Sequence, residues 1–363
     1  MSYFSFRPLG VFLGLSLAVA LGLGTSSAIA KAKPKPRKHA NVLPDNAPDV
    51  VIYGQRDDVM QFATDMSERH GFDVDGLRAT LMQARFVPSV AKYIMPPPAG
   101  TMKSWMAYRG RFVEPVRINA GVAFWNANEA WLRLAEERYG VPAEIIVGII
   151  GVETIYGQQM GNFRIIDALA TLSFDFPTGR KDRSAFFREE LESYLMLCIR
   201  EGVDPLAWRG SYAGAIGMPQ FMPSSILRHA VDFDGDGHID LHAETADVIG
   251  SVANFLANAG WTRDMPTHFD VAVPVDATER ALLLAPDILP SFTAQEFAEH
   301  GAALGDSAMA HEGKLALVEL QNGDAAPTYV AGTSNFYAVT RYNWSSYYAM
   351  AVITLGNAVK RAR

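Results

Sequence analysis

Apolar positions recurring every three or four residues predict helices over most of the chain beyond residue 57. Residues 57 to about 92 carry this pattern, with a turn at His70-Gly71, and Pro96-Pro-Pro-Ala-Gly100 ends it. Helix is predicted again from Trp105 to Arg117 and from Gly121 to Arg138, the second closing at Tyr139-Gly140. Ser184 to Arg200 and Thr245 to Ala259 read as amphipathic helices. From about Pro266 to Tyr337 the pattern changes to prolines, glycines and short β-branched or aromatic runs, such as Leu315 to Leu320 and Thr328 to Val330. This predicts a small β-containing module. Ser345 to Val359 is helical once more and apolar enough to rejoin the main core.

One segment breaks the amphipathic rule. Ile145-Ile-Val-Gly-Ile-Ile-Gly-Val-Glu153, with Pro142 placed for a first helical turn, reads as a helix buried on every side, and Glu153 is its only charge. A glutamate there either marks the point where the helix reaches solvent or sits in a dry site. In a dry site desolvation disfavours the ion and makes a general acid. The following Thr154-Ile-Tyr-Gly157 favours the second reading, because a glycine and an aromatic suit the floor of a cleft. Gly148 and Gly151 are costly inside a helix, so either a neighbouring helix or a ligand comes close to them.

With 363 residues, 49% of them hydrophobic and 20% charged, the chain can bury a core of roughly two or three subdomains. The first 30 residues differ. Arg7, an apolar run from Leu9 to Leu23 and Ser27-Ala-Ile-Ala30 have the order of a cleavable secretory signal, and the run is short for a membrane span. Cleavage removes Arg7 from the 32 basic residues and leaves 31 against 39 acidic, a net charge of −8, which argues against nucleic acid as a partner. Lys31-Ala-Lys-Pro-Lys-Pro-Arg-Lys38 reads as a solvated leader, with contact to an anionic wall or membrane as the alternative. Cys198 is the only cysteine, so no internal disulfide forms and none near residue 30 can carry a lipid. A soluble protein without a stable membrane anchor is expected.

Asp232-Phe-Asp-Gly-Asp-Gly-His238 follows the order of an EF-hand calcium loop. Asp232, Asp234 and Asp236 stand at positions 1, 3 and 5, Gly237 at 6, His238 at 7 for its carbonyl, and Asp240 at 9. Position 12 is Ala243, where a glutamate is expected. His238 and His242 raise zinc, but the aspartates suit a hard cation, and an aspartate-glycine turn that binds nothing is the plain alternative.

Several ordered motifs then point to one family. Tyr139-Gly-Val-Pro142, Gly151-Val-Glu-Thr154, Asp167-Ala-Leu-Ala-Thr-Leu172, Gly210-Ser-Tyr-Ala-Gly214, Gln220-Phe-Met-Pro-Ser-Ser225, the Asp232 loop, Gly250-Ser-Val-Ala-Asn254 and Arg341-Tyr-Asn343 resemble the membrane-bound lytic murein transglycosylase B family over most of residues 55 to 360. The resemblance implies a mainly α protein with a lysozyme-like catalytic core that cleaves the β-1,4 bond between N-acetylmuramic acid and N-acetylglucosamine without water. Glu153 would protonate the glycosidic oxygen, then take the proton of the muramic acid C6 hydroxyl as that oxygen closes a 1,6-anhydro ring.

By the same resemblance Ser211 and Gln220 would hydrogen-bond the sugar, and Tyr342 and Asn343 would line the cleft. Tyr108 and Tyr348 are candidates for stacking or polar contact, with core packing as the alternative. A structural calcium ion would be closed by Asp247, or by Glu244, because the loop is about one residue longer than the family pattern. No organic cofactor is implied. The implied partner is peptidoglycan and the implied location the periplasm; the sequence names no further wall-remodelling partner. The expected organisation is a signal at 1–30, a leader at 31–54, a helical region at 55–134, the core at 135–262 with the calcium loop at 232–247, the β-containing module at 263–337 and a return to the core at 338–363. A hydrolytic muramidase and a non-catalytic peptidoglycan-binding protein are the rival readings.

Overall fold

A computed structural model describes residues 53–98 and 100–363. The signal and nearly all of the leader lie outside the described residues. Among those described are sixteen α-helices and six short strands. None of these helices is long and apolar enough to cross a membrane.

The helix Ala143–Thr154 lies at the centre. Ile146, Val147, Ile149 and Ile150 are fully buried, and each large aliphatic side chain removed from water contributes on the order of 1.5–3 kcal/mol. Its main neighbour is the C-terminal helix Ser346–Ala362. The two approach so closely that a Cβ at Gly148 would overlap the carbonyl of Val352, and one at Gly356 the carbonyl of Glu144. Close helix packing therefore accounts for Gly148. The helices Pro115–Ala127, Glu129–Tyr139 and Thr245–Asn258 pack around the same pair. Ile165–Phe174 lies against the long helix Ser184–Glu201.

The breaks between helices fall elsewhere than the periodicity predicts. The first helix of the second group is Trp105–Phe112, not Trp105 to Arg117. A new one starts at Pro115, where the carboxylate of Glu114 accepts from the N–H groups of Val116 and Arg117 at 2.7 Å each. A proline suits a first turn and an acid satisfies its unpaired donors, so the junction is set by capping rather than by the apolar stripe. Asn128 divides the next stretch. The helices Ile165–Phe174 and Pro223–His229 were not foreseen.

Two sheets complete the fold. Strand β1 (Phe163–Arg164) pairs antiparallel with β2 (Arg209–Gly210) and leads directly into the helix Ile165–Phe174. Strands β3 (His268–Ala272), β4 (Ala303–Leu304), β5 (Ala316–Asn322) and β6 (Ala325–Gly332) form an antiparallel sheet in the order β4-β3-β6-β5. This sheet keeps a small core of its own around Leu283, Phe297, Leu315 and Leu317. It also contacts the helical region, where Met106 N–H donates to Asn322 Oδ1 at 3.1 Å.

Candidate active site

Glu153 is the penultimate residue of the central helix, and the chain leaves that helix in an uncommon way. Ile155 and Tyr156 both have left-handed backbones, at φ 51° and 55°, and Gly157 follows at 88°. Left-handed geometry at a β-branched and an aromatic residue costs on the order of 1–3 kcal/mol each and persists only where the surroundings enforce it.

Three contacts provide that enforcement. The Thr154 hydroxyl donates to the carbonyl of Met218 at 2.9 Å and accepts from Gly157 N–H at 3.0 Å. The Arg117 guanidinium, buried from the neighbouring helix, donates to the carbonyls of Gly151 at 2.6 Å and Val152 at 3.3 Å. The Tyr156 ring stacks on Phe124, and its hydroxyl occupies the space where a Cβ on Gly151 would lie. Gly151 is thus needed for a side chain of this chain, not for a ligand.

The carboxyl of Glu153 opens onto a cavity of about 420 Å³. Burial pushes its pKa up from 4.5 to about 7, against the opposing pull of a hydrogen bond that the Tyr348 hydroxyl donates to Oε1 at 2.6 Å. Tyr342 stacks on Tyr348 with ring centroids 6.2 Å apart, and its hydroxyl donates to the carbonyl of Pro219. Both phenols are raised well above their ordinary pKa by burial and then by the Glu153 charge, so they remain donors.

Tyr108, Gln220 and Asn343 line the same cavity. Gln220 has a left-handed backbone, φ 52°, and its amide donates to the carbonyls of Met160 and Gly217. The structure therefore brings together Glu153, Tyr108, Gln220, Tyr342, Asn343 and Tyr348.

Ser211 is placed differently. It is buried behind the cavity wall formed by Ala213 and Ala215, and its Oγ accepts from the N–H groups of those two residues at 3.3 and 2.9 Å. A hydroxyl held this way shapes the loop.

Other lining residues were missed in the sequence: Arg183, Phe186, Glu190 and Phe255. The basic run Arg180-Lys-Asp-Arg183 ahead of an amphipathic helix was the available signal for Arg183. Glu190 is a second buried carboxyl, raised in pKa by burial, but both its oxygens are taken by the N–H and hydroxyl of Ser224 at 2.9 and 2.7 Å.

The aspartate loop lies directly behind this site. Met218, whose carbonyl holds Thr154, donates its own N–H to the carbonyl of Leu241 at 2.8 Å. The carboxylates of Asp232, Asp234 and Asp247 converge within 4.8 Å, as do those of Asp234, Asp236 and Glu244, and neither group contains a histidine. Asp247 is fully buried and accepts from the N–H groups of Phe233 and Asp240. Asp240 holds the turn at His242 and Ala243. Burial and then the charges of Asp236 and Asp234 push the Glu244 carboxyl up, and its Oε2 is buried with no hydrogen-bond partner. An all-oxygen set with an orphaned buried carboxylate oxygen fits a hard divalent cation.

A helical core with a buried glutamate of raised pKa in a tyrosine-lined cavity is the arrangement expected of the lysozyme-like class. The model of the Transglycosylase SLT domain family matches residues 54–357. The membrane-bound lytic murein transglycosylase B of Escherichia coli (strain K12) is 41% identical over 319 residues, covering 86% of this chain and 85% of that protein. Among solved structures, the lytic transglycosylase Slt35 of Escherichia coli in complex with calcium aligns with a TM-score of 0.73 at 41% identity, over 85% of this chain and 94% of that one. SltB3 of Pseudomonas aeruginosa in complex with NAG-anhNAM-pentapeptide aligns with a TM-score of 0.70 at 28% identity, over 83% of this chain and 78% of that one. The chain belongs to the transglycosylase SLT domain family.

Proposed function

We infer that this chain is a peptidoglycan lytic transglycosylase in which Glu153 alone handles the proton. It cleaves the β-1,4 bond between N-acetylmuramic acid and N-acetylglucosamine. Protonated Glu153 gives its proton to the glycosidic oxygen as the C1–O bond breaks. The resulting carboxylate takes the proton of the C6 hydroxyl while that oxygen bonds to C1, and the glutamate returns to its starting state with a 1,6-anhydro product. No water enters the balance.

The observation that carries this reading is the state of Glu153 and Glu190, the two cavity carboxyls withdrawn from solvent; Glu189 also lines the cavity but is exposed. Glu153, at about 7, can hold and release a proton near neutral pH, as one group serving first as acid and then as base must. Glu190 is already committed to Ser224, so it is not free to serve as the nucleophile or water-activating base of a two-carboxylate glycosidase. Tyr342, Tyr348, Asn343, Gln220 and Tyr108 are assigned to the sugar-binding wall, and Ser211 to the loop behind it.

Asp232, Asp234, Asp236, Glu244 and Asp247, with the carbonyl of His238, are assigned to calcium. The ion would neutralise converging carboxylates and brace the loop that supports Met218; it has no part in the proton transfers. The N-terminal signal pattern and the substrate both support a periplasmic location.

Digestion of purified sacculi followed by product mass measurement tests the reading. An anhydro product, one water lighter than the hydrolytic one, is expected from the wild type and none from Glu153→Gln. A reducing-end product would make the chain a muramidase, and unchanged turnover in Glu153→Gln would remove the acid's role.

A further inference from the structure

A second cavity, of about 530 Å³, has no lining residue in common with the first, though one helix and one loop contribute to both. Along the helix Ser184–Glu201, Glu190 and Ser193 face the catalytic cavity while Leu197, Arg200 and Glu201 face the other. In the loop between them, Ala215 lines one cavity and Ile216 the other. The two therefore lie in succession along one face of that helix, divided at the Ala215-Ile216 peptide.

We propose that this second cavity binds a neutral N-acetylglucosamine-type saccharide of a glycan strand, as a site separate from the one that cleaves. Its aromatic wall is Trp208, part-exposed, with its ring set by contacts to Tyr194 at 6.2 Å and His242 at 5.5 Å. Leu197, Ile226 and Leu241 give an apolar floor, and Arg200, Glu201, Arg209, Asp240 and His242 give a polar rim. A pyranose matches this division, with C–H groups for the ring, an acetamido methyl for the floor and hydroxyls for the rim.

The charges on the rim balance: Arg200 donates to Glu201 at 2.7 Å, and Arg209 and Asp240 offset each other in sign. A balanced rim selects a neutral sugar over the anionic stem peptide. Holding a second stretch of glycan would raise the local concentration of substrate on an insoluble wall without aiding cleavage of a short fragment.

The proposal rests on the peptidoglycan reading above, and its test separates the two. Calorimetric titration of calcium-loaded Glu153→Gln with tri-N-acetylchitotriose is expected to show two sites. Adding Trp208→Ala should leave one, and adding Arg209→Ala should weaken one by about tenfold. Arg209 is exposed and its guanidinium makes a single hydrogen bond among the described residues, to the carbonyl of Asn162, while its backbone pairing with Arg164 does not depend on the side chain, so that variant keeps the test decisive if Trp208→Ala folds poorly. In the active background both variants should cleave soluble muropeptide fragments at the wild-type rate and sacculi severalfold more slowly. A single saccharide site in Glu153→Gln, or a second site filled by free stem tetrapeptide instead, would overturn the proposal while fragment cleavage left the transglycosylase reading standing. Loss of fragment cleavage by the wild type itself would strike that reading and, with it, this one.

Discussion

The Tyr348 hydroxyl donates to Glu153 Oε1 at 2.6 Å, across a chain separation that joins the last helix to the central one. The bond opposes burial: desolvation disfavours the carboxylate, and a donor on the carboxylate favours it. The balance near 7 leaves both protonation states accessible at neutral pH. It also holds the carboxyl in one orientation, because Tyr348 is itself fully packed against Tyr342.

From this balance follows a pH profile. The acid step needs protonated Glu153, so kcat/KM on soluble muropeptides is expected to fall as pH rises through about 7. Tyr348→Phe deletes the contribution that lowers this pKa, so the alkaline limb should move to higher pH. A limb that stays in place or moves down would show that Tyr348 does not act on the carboxyl's proton.

The same shift makes a statement about stability. Glu153 binds its proton more tightly folded than unfolded, so its contribution to stability is fully present below about pH 4.5 and is lost as pH rises through about 7. Glu153→Gln removes the ionisable group. Allowing for solvent that reaches the carboxyl from the cavity, the variant should be more stable than wild type by on the order of 2 kcal/mol at about pH 8, with little difference at about pH 4. Urea unfolding of the two proteins at both pH values measures this directly.

Glu153 was legible in the sequence because one charge interrupted an otherwise apolar helix, and period and polarity are what a sequence displays most plainly. The tyrosines were named only through family motifs, since nothing local says that residues near 342 and 348 return to residue 153. Two features were hidden for physical reasons. Ser211 lies in Gly210-Ser-Tyr-Ala-Gly-Ala215, a composition that fits a sugar-contacting loop as well as the self-bonded turn it forms. Arg117 was read as the end of a helix, yet it lies in the first turn of one and reaches inward, because Glu114 and Pro115 reset the helix boundary.

Arg117 provides a third expected outcome. Its guanidinium holds the carbonyls of Gly151 and Val152, immediately before Glu153 and the left-handed exit, but it is not among the groups that shift the glutamate's pKa. Arg117→Met should therefore lower kcat by about tenfold through misplacement of the carboxyl, with KM nearly unchanged. The alkaline limb should stay where the wild type has it, in contrast to Tyr348→Phe. Arg117→Lys, which keeps a donor in reach, should recover part of the rate.

Calcium removal tests the loop behind the site. Two groups of three carboxylates converge there, sharing Asp234, and Glu244 Oε2 is buried without a partner among the described residues, so the metal-free loop is held against its own repulsion. Chelation should lower Tm, and restoring calcium to about a hundred times its Kd should raise it by on the order of 5 °C, as about 2.7 kcal/mol of binding free energy implies. Glu244→Gln should weaken calcium binding while keeping the loop folded, because its oxygens hold no backbone group. Asp247→Asn should harm the fold even with calcium present, because its two carboxylate oxygens hold the N–H groups of Phe233 and Asp240, and one of them becomes a donor in asparagine. Equal effects of the two substitutions on metal-free stability would contradict that division, and a Tm indifferent to calcium in the wild type would remove the ion from the loop altogether.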